Sequence, residues 1–200
     1  MKTRDHIGAI ILAGGKSKRM GGDKALLQVS GVRLIEKIAR DIKTYFQEII
    51  IITSVNTEAM SSFLPFRVVT DKEKNQGPLM GILTGLYASK YPINFVMACD
   101  IPEINVFFLQ KMMAFTSDYD IVVPVTGEEM FEPLFAFYHK RVIPHIESLL
   151  DKGVRKVIKL FPLCRVKYIS LEGEDWYFNL NTGEDYERYL NILRGKEVKG

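Results

Sequence analysis

The stretch LAGGKSKRMGGDKALL, residues 12 to 27, concentrates groups able to grip phosphate. Gly14, Gly15, Gly21 and Gly22 let backbone amides approach a ligand closely. Lys16, Lys18, Arg19 and Lys24 add positive charge, offset locally by Asp23 alone. An arginine can hold two oxygens at once. Together these properties suit a nucleoside triphosphate. Two familiar phosphate loops are excluded by spacing. A Walker loop needs a glycine five positions before its GK pair, and Ile10 stands there. A dinucleotide fingerprint needs GxGxxG, whereas the glycines here come in pairs. A solvated surface turn has the same composition, so composition alone leaves that alternative open.

Other polar residues stand where a strand would deliver them to a ligand. Asp100 directly follows the apolar run NFVMAC, and Asp71 closes FRVVT. In parallel α/β sheets, ligands bind at the carboxyl ends of strands. On local sequence alone, Asp100 also fits a turn cap before Pro102, and Asp71 a turn residue before Lys72. Asn179 and Asn181 lie two apart, so in extended chain they share a face. Arg155 and Lys156 form a second basic spot. His6, His139 and His145 are scattered and read as surface residues, and no catalytic triad is evident. Cys99 and Cys164 show no CxxC spacing, which argues against a disulfide framework or zinc site and fits a reducing, cytoplasmic setting.

The elements that must carry these residues are legible from periodicity. IGAIILA (7 to 13) reads as a strand buried on both faces. Leu34, Ile35, Ile38, Ala39, Ile42 and Phe46 repeat at helical spacing. EIIIIT, FRVVT and NFVMAC read as further strands, and PLMGILTGLYAS as a helix with proline in its first turn. DIVVPV and EPLFAFYH read as strands. RVIPHIESLLDKG, closed by Gly153, and VRKVIKLF read as helices. FFLQKMMAF follows helical spacing and is assigned to the core, as is Trp176. Thr182 as N-cap, with Glu184 and Asp185 after it, begins a last helix. Alternating helices and strands predict one α/β domain with a mostly parallel sheet.

Composition agrees with a globular protein: 200 residues, 47% hydrophobic and 26% charged. A net charge of +3 is too small to argue for nucleic acid. No apolar run approaches the roughly 20 residues of a membrane span, so no membrane partner is expected. The basic, then apolar N-terminus reads as the first strand rather than a signal peptide, because a glycine-rich basic loop follows it.

The string LAGGxSxRMGxDKxLL resembles the signature of the molybdenum cofactor guanylyltransferases, MobA-like nucleotidyltransferases with a glycosyltransferase-A-like fold. The match runs through Leu12, Ala13, Gly14, Gly15, Ser17, Arg19, Met20, Gly21, Asp23, Lys24, Leu26 and Leu27. It continues at Asp71 with NQGPLMGILTGL, at VMACDIPEI, at EPLFAFYHK, at LLDKGVRKVIKL and at FNLNTGEDY. Ile101, Glu103 and Glu132 depart from the family pattern, and Glu132 stands where histidine or glutamine is more typical. The resemblance spans about Ile7 to Tyr186.

The resemblance implies a Rossmann-like three-layer sandwich and transfer of GMP from GTP to Mo-molybdopterin, with release of pyrophosphate. The acceptor phosphate is already ionised at neutral pH, so positioning and charge stabilisation are the work required. Arg19 and Lys24 are then expected on the triphosphate, with Asp100 holding Mg2+. Gly14 and Gly15 would give amides to phosphate, and the main chain at Leu12 and Ala13 would meet guanine. Asp71 would accept from guanine or ribose. Thr53 takes the place of an asparagine that often contacts base or ribose. Arg155, Lys156, Asn179 and Asn181 are assigned to the acceptor. The resemblance also implies encounters with other cofactor-biosynthesis proteins or molybdoenzyme chaperones. A cytidylyltransferase or sugar-phosphate nucleotidylyltransferase on the same fold, and a non-catalytic nucleotide-binding module, are the competing readings.

Overall fold

A computed structural model describes residues 7–13, 26–29, 31–53, 60, 65–71, 77–127, 130–174 and 176–197. In chain order come β1 (Ile7–Leu12), the hairpin strands β2 (Gln28–Val29) and β3 (Val32–Arg33), helix α1 (Leu34–Ile42), β4 (Glu48–Thr53) and β5 (Arg67–Thr70). Next are α2 (Pro78–Ala88), β6 (Ile93–Ala98), α3 (Val106–Met113), β7 (Ile121–Val125) and β8 (Phe135–His139). The chain ends with α4 (Ile143–Asp151), β9 (Val166–Ser170) and α5 (Gly183–Glu197).

The apolar strands are buried on both faces because helices cover both. Along β1, Ile7, Ala9 and Ile11 enter one core, while Ile10 and Leu12 enter the other. Ile49 and Ile51 alternate in the same way with Ile50 and Ile52 along β4. Residues of α1 and α3, with Tyr189 of α5, fill the first core. Residues of α2 and α4 fill the second. Each fully buried aliphatic side chain contributes about 1.5–3 kcal/mol relative to exposure. The result is the expected three-layer α/β sandwich. Helix α2 lies very close to β1: a Cβ added at Gly85 would meet Ile10 Cγ2 at 2.5 Å.

The main sheet has the order β5-β4-β1-β6-β8-β7-β9. Strands β5, β4, β1 and β6 run parallel, and β8 is antiparallel to both its neighbours. From β1 the chain moves outward to β4 and β5, then crosses back to β6 on the other side of β1. That reversal makes the carboxyl ends of β1 and β6 a topological switch point, where open α/β sheets bind ligands.

Three local expectations are corrected. VRKVIKLF is not an α-helix; Val157–Leu163 is a 3-10 helix with Pro162 inside. Proline has no N–H for the α-helical ladder and its ring crowds the preceding turn. Phe107 is 83% exposed, whereas Phe108, Leu109, Met112 and Met113 are buried, because Asn105 caps α3 and turns that face outward. The EPLFAFYH strand begins only at Phe135; Phe135 N–H bonds back to Glu132 O at 3.1 Å, closing a turn before β8. Other signals hold: Gly153 takes φ +73 after α4. Thr182 Oγ1 accepts from Asp185 N–H, while the Asp185 carboxylate accepts from the N–H groups of Asn181 and Thr182.

Candidate active site

Four neighbouring parallel strands bring their carboxyl ends into one row. Past the strands, main-chain bonds continue the ladder. Asp71 N–H donates to Thr53 O at 2.8 Å, Ala13 N–H to Ile52 O at 2.8 Å, and Cys99 N–H to Leu12 O at 3.2 Å. The row therefore reads Asp71, Thr53, Ala13 and Cys99–Asp100 across β5, β4, β1 and β6. Leu12 and Ala13 are buried at the end of β1, just before the glycine- and lysine-rich sequence. Gly14, Gly15, Arg19 and Lys24 of that sequence lie outside the described residues. Asp100 lies in the turn just past the adjacent strand β6, and Asp71 is three strand spacings away, about 14 Å along the sheet edge. One cation cannot touch both carboxylates at that separation.

At the Asp71 end, Thr84 Oγ1 donates to Asp71 Oδ1 at 2.8 Å. The carboxylate also lies beside Gly81 of α2, and Leu12 side-chain atoms reach the same glycine. Thr53 is fully buried. Gly77 precedes α2 with φ +78, a conformation that L side chains rarely adopt. Arg155 packs against Gly77, with its Cβ 3.7 Å from a Cβ built there, and its guanidinium donates to Gly153 O at 2.8 Å. Arg155 thus belongs to the α2 side of the edge, and both it and Lys156 are exposed.

The Asp100 end is built by the C-terminal segment. Leu180 N–H donates to Asp100 O at 2.8 Å, and the Leu180 side chain is fully buried. Extended chain on either side leaves Asn179 half-buried and Asn181 exposed, flanking Asp100. Just beyond Asp100, three elements meet. Tyr189 Oη of α5 donates to Glu103 Oε1 at 2.9 Å, and Lys37 Nζ of α1 lies 3.7 Å from the same carboxylate. Lys37 also donates to Asp41 at 2.7 Å and to Pro102 O at 3.4 Å. Burial opposes the Lys37 charge, but its bonds to Asp41 and Tyr189 outweigh burial and hold the ammonium above its ordinary value. Burial pushes the Tyr189 hydroxyl up to about 12.

Glu132, Tyr177 and Asn179 gather beside Asp100. Glu132 is half-buried, and its carboxyl is raised above the ordinary range, first by burial and then by the Asp100 charge, against a lowering bond from Tyr177. The Tyr177 hydroxyl faces Glu132 and Asn179, and burial foremost raises it. Its oxygen is buried without a hydrogen bond of regular geometry. Trp176 packs on Phe108, Phe135 and Tyr177, as its core assignment requires. Sequence reasoning assigned no role to Tyr177, Lys37 or Tyr189. Glu103 and Glu132 were visible only as departures from a pattern. Cys99 is buried below Asp100, His139 is half-exposed and His145 exposed.

A row of parallel strand ends at a topological switch point defines an α/β protein of the kind that binds ligands at that edge. The chain belongs to the MobA-like NTP transferase family, whose domain model matches residues 9–167, and it is a nucleotidyltransferase. A "Probable molybdenum cofactor guanylyltransferase" of Peptoclostridium acidaminophilum is 36% identical, covering 96% of this chain and 92% of the relative. A protein of the same name from Pelotomaculum thermopropionicum is 39% identical over 88% of each chain. The crystal structure of molybdopterin-guanine dinucleotide biosynthesis protein A from Archaeoglobus fulgidus superposes with a TM-score of 0.80, covering 94% of this chain and 99% of the other. At 24% identity that likeness speaks for the fold.

Proposed function

We propose that this chain transfers GMP from GTP to Mo-molybdopterin, forming the guanine dinucleotide cofactor and pyrophosphate in the cytoplasm. The observation that carries the reading is the placement of Asp100 in the turn just past β6, the strand next to β1, whose end leads into the glycine- and lysine-rich sequence. The names of relatives at 36% and 39% identity supply the guanylyl group and the acceptor. Molybdenum travels here as part of the substrate.

An ionised phosphate oxygen of the acceptor attacks the α-phosphorus of GTP. A new oxygen–phosphorus bond forms, the bond from α-phosphorus to the bridging oxygen breaks, and pyrophosphate leaves. No general base is required, so the chain's work is orientation and neutralisation. Arg19, Lys24 and the amides of Gly14 and Gly15 bind the triphosphate. The main chain at Leu12 and Ala13, with Asp71, takes the nucleoside end, one edge of the sheet away from Asp100. Asn179 and Asn181 orient the acceptor near Asp100, and Arg155 lies toward the α2 side of the cleft.

The Asp100 environment fits Mg2+, an ion bound through one or two carboxylates together with substrate phosphates. Asp100 follows β6 in the turn after Ala98 and brings a carboxylate to the strand-end row. Asp100 would hold the ion, which when bound supplies charge neutralisation to the phosphates. Pyrophosphate release with GTP, CTP or ATP, each with Mg2+ and Mo-molybdopterin, tests the reading. Release with GTP alone is expected, and Asp100→Ala is expected to abolish it in a folded protein. Preference for CTP would replace the guanylyl assignment, and GTP binding without release would leave a non-catalytic binding module.

A further inference from the structure

Helix α2 is apolar where it faces the sheet, with one exception. Among its buried residues, Leu79 to Leu86, Thr84 alone carries a polar side chain, and it is 3% exposed. A hydroxyl has one proton to give, and Thr84 Oγ1 donates it to Asp71 Oδ1 at 2.8 Å. Strand alternation brings the two together. Leu12 and Val69 belong to the core on the α2 side, so Asp71, two residues past Val69, stands on that face. Thr53, two residues past Ile51, stands on the opposite face. The hydroxyl beside Asp71 therefore comes from the helix. Two glycines let the helix settle close enough for so short a side chain to reach. Gly81, Thr84 and Gly85 are spaced to share one side of α2. A Cβ at Gly85 would meet Ile10 Cγ2 at 2.5 Å, and one at Gly81 would lie 3.2 Å from Leu12 Cδ2 and 3.8 Å from Asp71 Oδ2. Strand β5 closes one end of the sheet order, so Asp71 has a strand neighbour on one side only. Its N–H bond to Thr53 O at 2.8 Å fixes the main chain, and the Thr84 bond fixes a carboxylate oxygen.

Resting on the reading of Asp71 at the nucleoside end of the cleft, we propose that Thr84 is the positioning residue for base selection. It holds the plane of the Asp71 carboxylate so that the carboxylate accepts from the N1–H and 2-amino donors of guanine. Adenine presents an unprotonated N1 at that place, an acceptor facing a carboxylate, and is rejected. A carboxylate turned about its last bond still accepts from a single donor but loses a paired one, because paired contacts demand a fixed plane. Discrimination therefore depends on the angle that the Thr84 hydroxyl keeps. Thr84 acts through Asp71 and touches no reacting atom.

Calorimetry on the full-length chain with GTP and with ATP, each with Mg2+, tests this. Thr84→Val keeps the shape of the side chain and removes the hydroxyl, whereas Thr84→Ser keeps the hydroxyl. Thr84→Val is expected to lower the preference for GTP over ATP about 3- to 10-fold, the scale of one net hydrogen bond. Thr84→Ser should restore the wild-type preference. Thr84→Ala also removes the hydroxyl and serves where Thr84→Val does not fold. An unchanged preference in the folded hydroxyl-free variant, beside a lost preference in Asp71→Asn, overturns the inference and leaves Asp71 at the nucleoside end. Equal weakening of both nucleotides makes Thr84 a packing residue and also overturns it. A wild-type chain that binds GTP and ATP alike overturns both the inference and the reading beneath it.

Discussion

Tyr189→Phe probes how the fold holds Asp100. The ring of Tyr189 is fully buried, so the substitution removes one oxygen and leaves the packing. That oxygen donates to Glu103 Oε1 at 2.9 Å and sits 3.4 Å from Pro102 O. A hydrogen bond to a charged acceptor contributes about 1.5–3 kcal/mol. Lys37 stays 3.7 Å from the Glu103 carboxylate and partly compensates, so the expected loss is the lower part of that range, about 1.5–2 kcal/mol. For a chain of this size that corresponds to a Tm lower by about 3–8 °C. The functional consequence is larger than the energetic one. Pro102 and Glu103 lie two and three residues after Asp100, and a shift on the order of 1 Å at a reacting site costs up to about 10²-fold in rate. Urea unfolding gives the stability, and pyrophosphate release titrated with Mg2+ gives the activity. The mutant should need more Mg2+ for half-maximal rate while its nucleotide affinity without metal is unchanged. A stability loss under about 0.5 kcal/mol, below the range of a net hydrogen bond, together with an unaltered Mg2+ requirement, would refute the view that this knot positions Asp100.

Asp71→Asn should weaken GTP binding and narrow its preference over ATP, read by calorimetry across nucleotides; unchanged selectivity would remove Asp71 from the nucleoside end. Gly85→Ala should destabilise by about 1–3 kcal/mol, as overpacking does, because the new methyl meets Ile10 at 2.5 Å; denaturant midpoints check this, and equal midpoints would mean α2 can lift from β1 freely. Burial opposes ionisation of Asp120, but the Arg165 N–H at 2.7 Å and the Arg141 guanidinium outweigh it and lower the carboxyl. A lowered folded value contributes stability present above the ordinary 3.8 and lost as pH falls through the folded value. Asp120→Asn should therefore lose stability at pH 7 and show a shallower decline below about pH 4; parallel acid-unfolding curves would contradict that sign.

Much of the architecture was readable from local pattern. Continuous apolar runs at 7 to 13, 48 to 53 and 93 to 98 can only be strands covered on both faces, since each successive side chain enters the opposite core. Pro78, Gly153 and Thr182 mark helix ends because proline, glycine and threonine act on the backbone within one turn. Asp71 and Asp100 stand at strand ends for the same local reason, and the string from Leu12 to Leu27 carries its chemistry in residue order alone.

Tertiary structure decided what depends on distance between remote segments. β9 and the β2–β3 hairpin carry little periodicity of their own, and form because a partner strand is offered. No local signal makes β8 antiparallel, yet that direction is what lays Met97 of β6 against Phe135 at the start of β8. The segment carrying Asn179 and Asn181 reaches Asp100 through one main-chain bond from Leu180. Tyr189 finds Glu103 across 86 residues of chain. Side-chain period and capping are properties of neighbouring residues, so sequence expresses them directly. Strand order, direction and the meeting of charges arise only when the whole sheet closes its hydrogen bonds.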